Sequence, residues 1–243
     1  MIIAAAIVLA AVFQKGFSTD DVTKDEVKEL YANFLTTLNQ TANETLADIE
    51  QNVLEFEDNV FQALYYAKYY LMTEKDVYNF DDFERIMRKA QEQGTNFSHC
   101  SPLITEFLNL DTLLWPNLTS CINSTSDEAE ALIKIYKANY SSTIENLPVL
   151  DDDIDKCSDQ ECLQSLLDQI TELGESIPAQ ILELRSNIEA VNIQYSNEIN
   201  TCVANARIDL SVRARIIMSE YAICTGVETF KNLYTKIHLN NRD

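Results

Sequence analysis

The chain has 243 residues, with 39 acidic against 18 basic side chains, a formal charge of −21 and 46% hydrophobic content. The apolar share is enough for a real core and argues against wholesale disorder. The acidic balance argues against nucleic acid, whose phosphates want a basic face, and against adsorption to an anionic membrane, while it favours solubility.

Ile2 to Phe13 form an uncharged apolar run, followed by Gln14, Lys15 and Gly16-Phe17-Ser18. Small residues at the third-last and last positions suit signal peptidase, so residues 1–18 are expected to be a signal peptide cleaved after Ser18, with Ala11 as a second candidate. The run is about a dozen residues, against roughly 20 needed to cross a bilayer, so a membrane anchor is not expected. The C-terminal residues Ile237 to Asp243 are polar and carry no glycolipid-anchor signal.

Gly and Pro number four each, and neither occurs from Phe17 to Gln93. Turn-rich β architectures need both, so their scarcity points to helices. Apolar residues recur in steps of three and four at Val27, Leu30, Tyr31, Phe34, Leu38, Ala42, Leu46, Ile49, Val53, Phe56, Val60, Leu64, Ala67 and Leu71. That period predicts one long helix or two stacked ones. A turn is expected over Thr73 to Phe80, then a helix capped by Asp81 or Asp82, running to Gln93 and ended by Gly94. Pro102 can start the next helix, Pro116 is expected to stop it near Trp115, and Ser126 to open another that carries Ala129 to Tyr140. The periodicity breaks at Pro148 to Asp155. Helical spacing resumes from Cys162 to Leu173 and is closed by Gly174. From Pro178 a near-heptad follows, with Ile177, Ile181, Leu184, Ile188, Val191 and Tyr195. It continues through Leu210, Ile217, Tyr221, Cys224, Phe230, Tyr234 and Ile237. Residues 19–150 therefore read as an N-terminal helical segment and 151–243 as a C-terminal long-helix segment, together one continuous domain.

Six cysteines allow 15 pairings. Cys202 and Cys224 are separated by 22 positions without Gly or Pro, which in one continuous helix is about 33 Å, beyond any disulfide. Either that helix breaks or each residue pairs elsewhere. Cys100 and Cys121 have nearly the same separation, and about six helical turns fit both, so each pair would present its thiols on one face. Antiparallel packing would then join Cys100 to Cys224 and Cys121 to Cys202, leaving Cys157 and Cys162 as a local clip. A metal set of His99, Cys100, Cys157 and Cys162 matches no finger or ribbon spacing, and an oxidising compartment consumes thiols.

Asn39, Asn43, Asn96, Asn117, Asn123 and Asn139 each head an Asn-x-Ser/Thr triplet, and none follows Asn139. N-glycosylation is expected on this set, which leaves the C-terminal half as the sugar-free surface. Asp151-Asp152-Asp153-Ile154-Asp155 resembles a calcium loop at first sight. Its sixth and twelfth positions are Lys156 and Cys162, where Gly and Glu are needed, so an exposed acidic turn capping the next helix is expected. Gly-x-Ser-x-Gly and a Gly-rich phosphate loop are absent from the sequence, and only His99 and His238 could act as a base. No catalytic residue, cofactor or metal is assigned, and the reading is non-enzymatic. Tyr65, Tyr66, Tyr69 and Tyr70 form a doubled ladder for which packing is expected, one pair inward and one over a surface seam; the sharper account is an aromatic platform for sugar or another ligand. Arg207, Arg213 and Arg215 are expected to answer the surplus of carboxylates.

The last two cysteines sit in Cys-Val-Ala-Asn-Ala-Arg, starting at Cys202, and Tyr-Ala-Ile-Cys, ending at Cys224. With the leader, the acidic helical body and the two earlier cysteine pairs, this resembles the secreted dipteran-insect proteins that carry the TsetseEP domain, over most of residues 95–230. The Glu-Pro repeats that name the family are missing. The resemblance implies an extracellular protein of gut, saliva or reproductive secretions without established catalysis, and it transfers no functional residues. The expected molecule is an all-α, elongated bundle of long amphipathic helices stapled by three disulfides, secreted, and working as an interaction protein through its C-terminal helices, where self-association is one option. The alternative is a carrier of a small apolar ligand between helices. Insect odorant-binding proteins, which also have six cysteines, are shorter and carry a Cys-x-x-x-Cys step that Cys157 and Cys162 do not match.

Overall fold

Thr23 and Glu26 start the first helix by a reciprocal cap. The Thr23 amide and hydroxyl donate to the Glu26 carboxylate at 2.8 and 2.7 Å, and the Glu26 amide returns a bond to Thr23 Oγ1 at 3.3 Å. This satisfies amide groups that every helix start leaves unpaired. The computed structural model describes residues 22–77 and 80–227. The leader with its cleavage site after Ser18, and the apolar continuation at Phe230, Tyr234 and Ile237 with His238, lie outside the described residues.

Among the described residues every regular element is helical: α1 Lys24–Val77, α2 Phe80–Glu92, a short 3-10 turn at Ser98–Cys100, α3 Ser101–Leu108, α4 Leu110–Glu145, α5 Asp151–Lys156 and α6 Gln160–Cys224. The all-α fold of long helices is as the periodicity predicts, and α1 is one helix of 54 residues. It runs through the turn expected from Thr73. At Leu46 the expected stripe is off by one position: Leu46 is exposed and Thr45 is buried. The steps Leu38, Ala42, Thr45, Ile49 keep to the 3.6-residue period better than a Leu46 alternative does.

The two prolines do not end their helices. The break after α3 falls on Asn109, whose amide bonds back to Thr105 and Glu106, and α4 then continues through Pro116 and Ser126 to Glu145. Likewise α6 passes through Gly174 and Pro178 as one helix of 65 residues. Each proline removes a single amide from the ladder, at a cost of roughly 3 kcal/mol in an isolated helix. Long apolar stripes on both sides of the proline outweigh that cost, since each fully buried Leu, Ile or Phe contributes roughly 1.5–3 kcal/mol. The glycines that do stop helices are Gly94 and Gly226, both with positive φ, at 69° and 72°. In each case the following amide reaches back five residues, Thr95 to Ala90 and Val227 to Ala222, which is the Schellman pattern.

The residues form two compact units, one drawn from the chain up to Phe56 and from Glu128–Gln194, the other from Glu57–Asp127 and from Tyr195 onward. The segment Pro148 to Asp155, where the periodicity breaks, lies inside the first unit. There α1 and α6 run parallel, tied by Asp48–Arg185 at 3.0 Å and by the Asn192 amide donating to the Asn52 carbonyl at 2.6 Å. The later part of α4 is tied to α1 by the Tyr140 hydroxyl, which donates to the Ala42 carbonyl at 2.5 Å. Buried Tyr31 fastens the loop after α4: its hydroxyl donates to the Pro148 carbonyl at 3.0 Å and accepts from the Leu150 amide at 3.1 Å. The acidic run that follows is itself the short helix α5, with Asp151, Asp152 and Asp153 in its first turn, where the helix dipole favours negative charge. Ile154 is its buried anchor, and Asp155 pairs with Lys28 at 2.5 Å.

The second unit holds α2, α3 and the first part of α4. Phe83, Ile86 and Ala90 form the buried face of α2. Phe83 sits 4.6 Å from the Phe107 ring and 5.1 Å from the Tyr221 ring, a tilted aromatic cluster.

Candidate functional site

The disulfides fix which surfaces can be presented. Cys100 is bonded to Cys224 and Cys121 to Cys202, across sequence separations of 124 and 81, and Cys157 is bonded to Cys162 across 5. Because α6 is unbroken from Cys202 to Cys224, the two cannot meet, and the antiparallel ladder expected from their spacing follows. The local clip joins the end of α5 to the first turn of α6, where Asp159 Oδ1 accepts from the Cys162 amide at 2.9 Å as an N-cap. Of the four residues weighed as a metal set, His99 and Cys100 are adjacent, with Nε2 and Sγ 3.6 Å apart. Cys157 and Cys162 lie in the other unit, bonded to each other. His99, Cys100 and Cys224 cluster, but both sulfurs are held in a disulfide, and it is the thiolate that ligates a metal.

The tyrosine ladder belongs to the second half of α1. The inward arc of this stretch is taken by Ala67 and Leu71. Tyr65 and Tyr69 lie opposite that arc, while Tyr66 and Tyr70 lie on its flank, 100° per residue away. The expectation that one pair packs inward is therefore corrected: all four rings are exposed, at 61%, 51%, 57% and 37%. They pair edge to face, Tyr65 on Tyr66 at 5.6 Å and Tyr69 on Tyr70 at 6.1 Å. On the other flank Lys68 stands over the Trp115 ring at 5.8 Å.

Beside Tyr66 and Tyr70 runs a groove of about 420 Å³ between α1 and α6, within the second unit. Its walls are Asn59, Gln62, Tyr66 and Tyr70 from α1 and Ser196 and Asn200 from α6, with Ala63, Ile199 and Val203 completing the lining. Asn59 Nδ2 donates to Ser196 Oγ at 3.4 Å at one end. The Arg207 guanidinium lies 4.8 Å over the Tyr70 ring at the other. Arg207 thus engages an aromatic face, a role not read from the sequence, whereas the exposed Arg213 and Arg215 stand farther along α6. The equal steps from Asn59 to Tyr70 and from Ser196 to Arg207 mark the two helices as parallel here. The groove residues recur at helical spacing on both helices, a signal present in the sequence once their parallel pairing is known.

Farther along α6, Ile208, Val212 and Ile216 form an exposed row at steps of four, with Ile223 beyond. All six sequon asparagines are exposed: Asn39, Asn43 and Asn139 in the first unit, and Asn96, Asn117 and Asn123 in the second. Asn96 is outside regular helix, and its Oδ1 accepts from the Ser98 amide and hydroxyl at 3.2 and 2.9 Å. No helix among the described residues is long and apolar enough to cross a membrane. No family model, no curated protein and no solved structure matches the chain.

Proposed function

We propose that the chain is a secreted, N-glycosylated, non-enzymatic interaction protein that meets its partner through the C-terminal half of α6. The observation that carries this reading is the exposed row Ile208, Val212, Ile216 and Ile223, on a helix anchored by two long-range disulfides and bearing no sequon. An apolar row left on the surface of an acidic protein is a contact surface in waiting. The apolar leader, the six paired cysteines and the exposed sequons support an extracellular setting, as does the resemblance to TsetseEP-domain proteins. The carrier alternative has less behind it, because the groove between α1 and α6 sets Asn59, Gln62, Ser196 and Asn200 beside its apolar lining, more polar groups than a purely apolar ligand can satisfy. Sedimentation of the secreted protein tests the reading. Concentration-dependent association that is lost in Val212→Asp/Ile216→Asp is the expected result. A monomer that carries an apolar small-molecule adduct in native mass spectrometry would favour the carrier.

A further inference from the structure

We propose that the groove between α1 and α6 in the second unit binds a neutral saccharide. The inference deepens the reading of the chain as an extracellular interaction protein and rests on it, since that is where free and protein-linked glycans are met. Three features of the groove point to this ligand class. Tyr66 and Tyr70 line the groove one helical turn apart, both exposed and held by edge-to-face contact with Tyr65 and Tyr69, with Arg207 over one face of Tyr70. Sugar rings present apolar C–H faces that such rings accept, and a tyrosine adds a hydroxyl at the rim. Asn59, Gln62 and Asn200 supply carboxamides, each with two donors and one acceptor, and Ser196 a hydroxyl, the complement of a polyhydroxylated ligand. Among the described residues no carboxylate and no ammonium lines the groove, although the chain carries 39 acidic residues. A lining without charged side chains, in a chain of net charge −21 and with the single Arg207 guanidinium already engaged by the Tyr70 ring at one end, suits an uncharged ligand.

The dimensions agree. The groove volume of about 420 Å³ lies in the range of ligand sites. From Asn59 to Tyr70 the helix rises about 16 Å, which accommodates a short oligosaccharide along the tyrosine edge. The Asn59–Ser196 bond bounds one end, and the Arg207 guanidinium over Tyr70 bounds the other. Two further cavities carry less: the one beside Lys68 and Trp115 is about 150 Å³, and the one at the Cys157–Cys162 clip is walled by Asp153 and Lys156.

The test uses the full secreted chain, with its own N-glycans removed enzymatically in one arm and retained in the other. The probes are chitotriose, a neutral high-mannose oligosaccharide and a heparin hexasaccharide, followed by saturation-transfer NMR and calorimetry. The expected result is binding of at least one neutral probe, weakened about tenfold or more by Tyr66→Ala and by Tyr70→Ala, and weakened by Asn200→Ala. All three side chains are exposed, and circular dichroism checks that each variant keeps the wild-type helix content. Binding of free probe in both arms identifies a soluble glycan as ligand. Binding only in the stripped arm identifies the chain's own glycans, on itself or on a second copy, as the competing occupant. Failure of every neutral probe in both arms, preference for heparin, or equal binding by the tyrosine variants would each overturn the proposal. Val212→Asp/Ile216→Asp leaves saccharide binding unchanged, and Tyr70→Ala leaves α6-mediated association unchanged, so failure of either proposal is seen separately.

Discussion

At the scale of single residues, the buried hydroxyls separate into those that hold the fold and one that does not. Tyr31 satisfies both the Pro148 carbonyl and the Leu150 amide, so Tyr31→Phe strands two backbone groups in a buried setting. Such a loss costs roughly 1–3 kcal/mol, and chemical denaturation should show that drop. Tyr221 is the opposite case. Its ring is fully buried against Phe83, its hydroxyl has no hydrogen-bond partner among the described residues, and burial pushes its pKa up. Tyr221→Phe removes the unpaired group and keeps the ring, so unfolding free energy should stay level or rise by about 1 kcal/mol. A loss of several kcal/mol would mean that the hydroxyl has a partner after all.

At the scale of elements, the helices were legible because their apolar residues keep a 3.6-residue period over many turns. The breaks were less so. Pro116 and Gly174 read as stops, but a proline removes one amide and a glycine costs about 1 kcal/mol, in helices whose packing on either side is extensive. The true stop at Gly226 instead needs a positive φ. The cap at Thr23 was available in the Thr-x-x-Glu pattern, and a search for capping boxes finds it. The tyrosine ladder was visible as a spacing, and its direction was legible too. Direction depends on which arc of α1 faces the core, and the apolar stripe through Ala67 and Leu71, already legible at 100° per residue, places Tyr65 and Tyr69 opposite it.

The cap and the α5 pair also give a pH dependence. The bonds from Thr23 hold the Glu26 carboxyl below its usual range, and Lys28 does the same for Asp155, while Asp155 raises Lys28. For the two carboxylates the folded state binds protons less readily than the unfolded chain. Their contribution is complete above the ordinary carboxylate range and is lost as pH falls through the lowered folded values. For Lys28 the contribution is complete below the ordinary lysine range and is lost as pH rises through the raised value. All three groups are exposed, so the effects are small. Glu26→Gln, which keeps the cap but not the charge, should flatten the acid limb of the Tm–pH curve.

The three disulfides are not equal. In the chain-entropy view, the bridges spanning 124 and 81 residues constrain the unfolded chain far more than the one spanning 5. The expectation is roughly 4–5 kcal/mol for either long bridge and about 2 kcal/mol for the clip. Cys100→Ser/Cys224→Ser should therefore lower the denaturation midpoint much more than Cys157→Ser/Cys162→Ser does. A clip variant that unfolds first would contradict this ranking.

At the scale of the whole molecule, the chain combines a strongly acidic surface with paired cysteines and no thiol left free among those described. That combination is at home where thiols are oxidised, and the account of the apolar row, the sequons and the groove depends on that setting. The most direct test is to express the chain in insect cells, recover protein from the medium, and map its peptides without reduction alongside its intact mass. The expected product is mature protein lacking the first 18 residues, six hydrogens lighter than its reduced form, heterogeneous with N-linked sugar that includes Asn96, and yielding Cys100–Cys224, Cys121–Cys202 and Cys157–Cys162 peptides. Protein retained inside the cell with free thiols, or a digest that recovers a Cys202–Cys224 bridge, would contradict it.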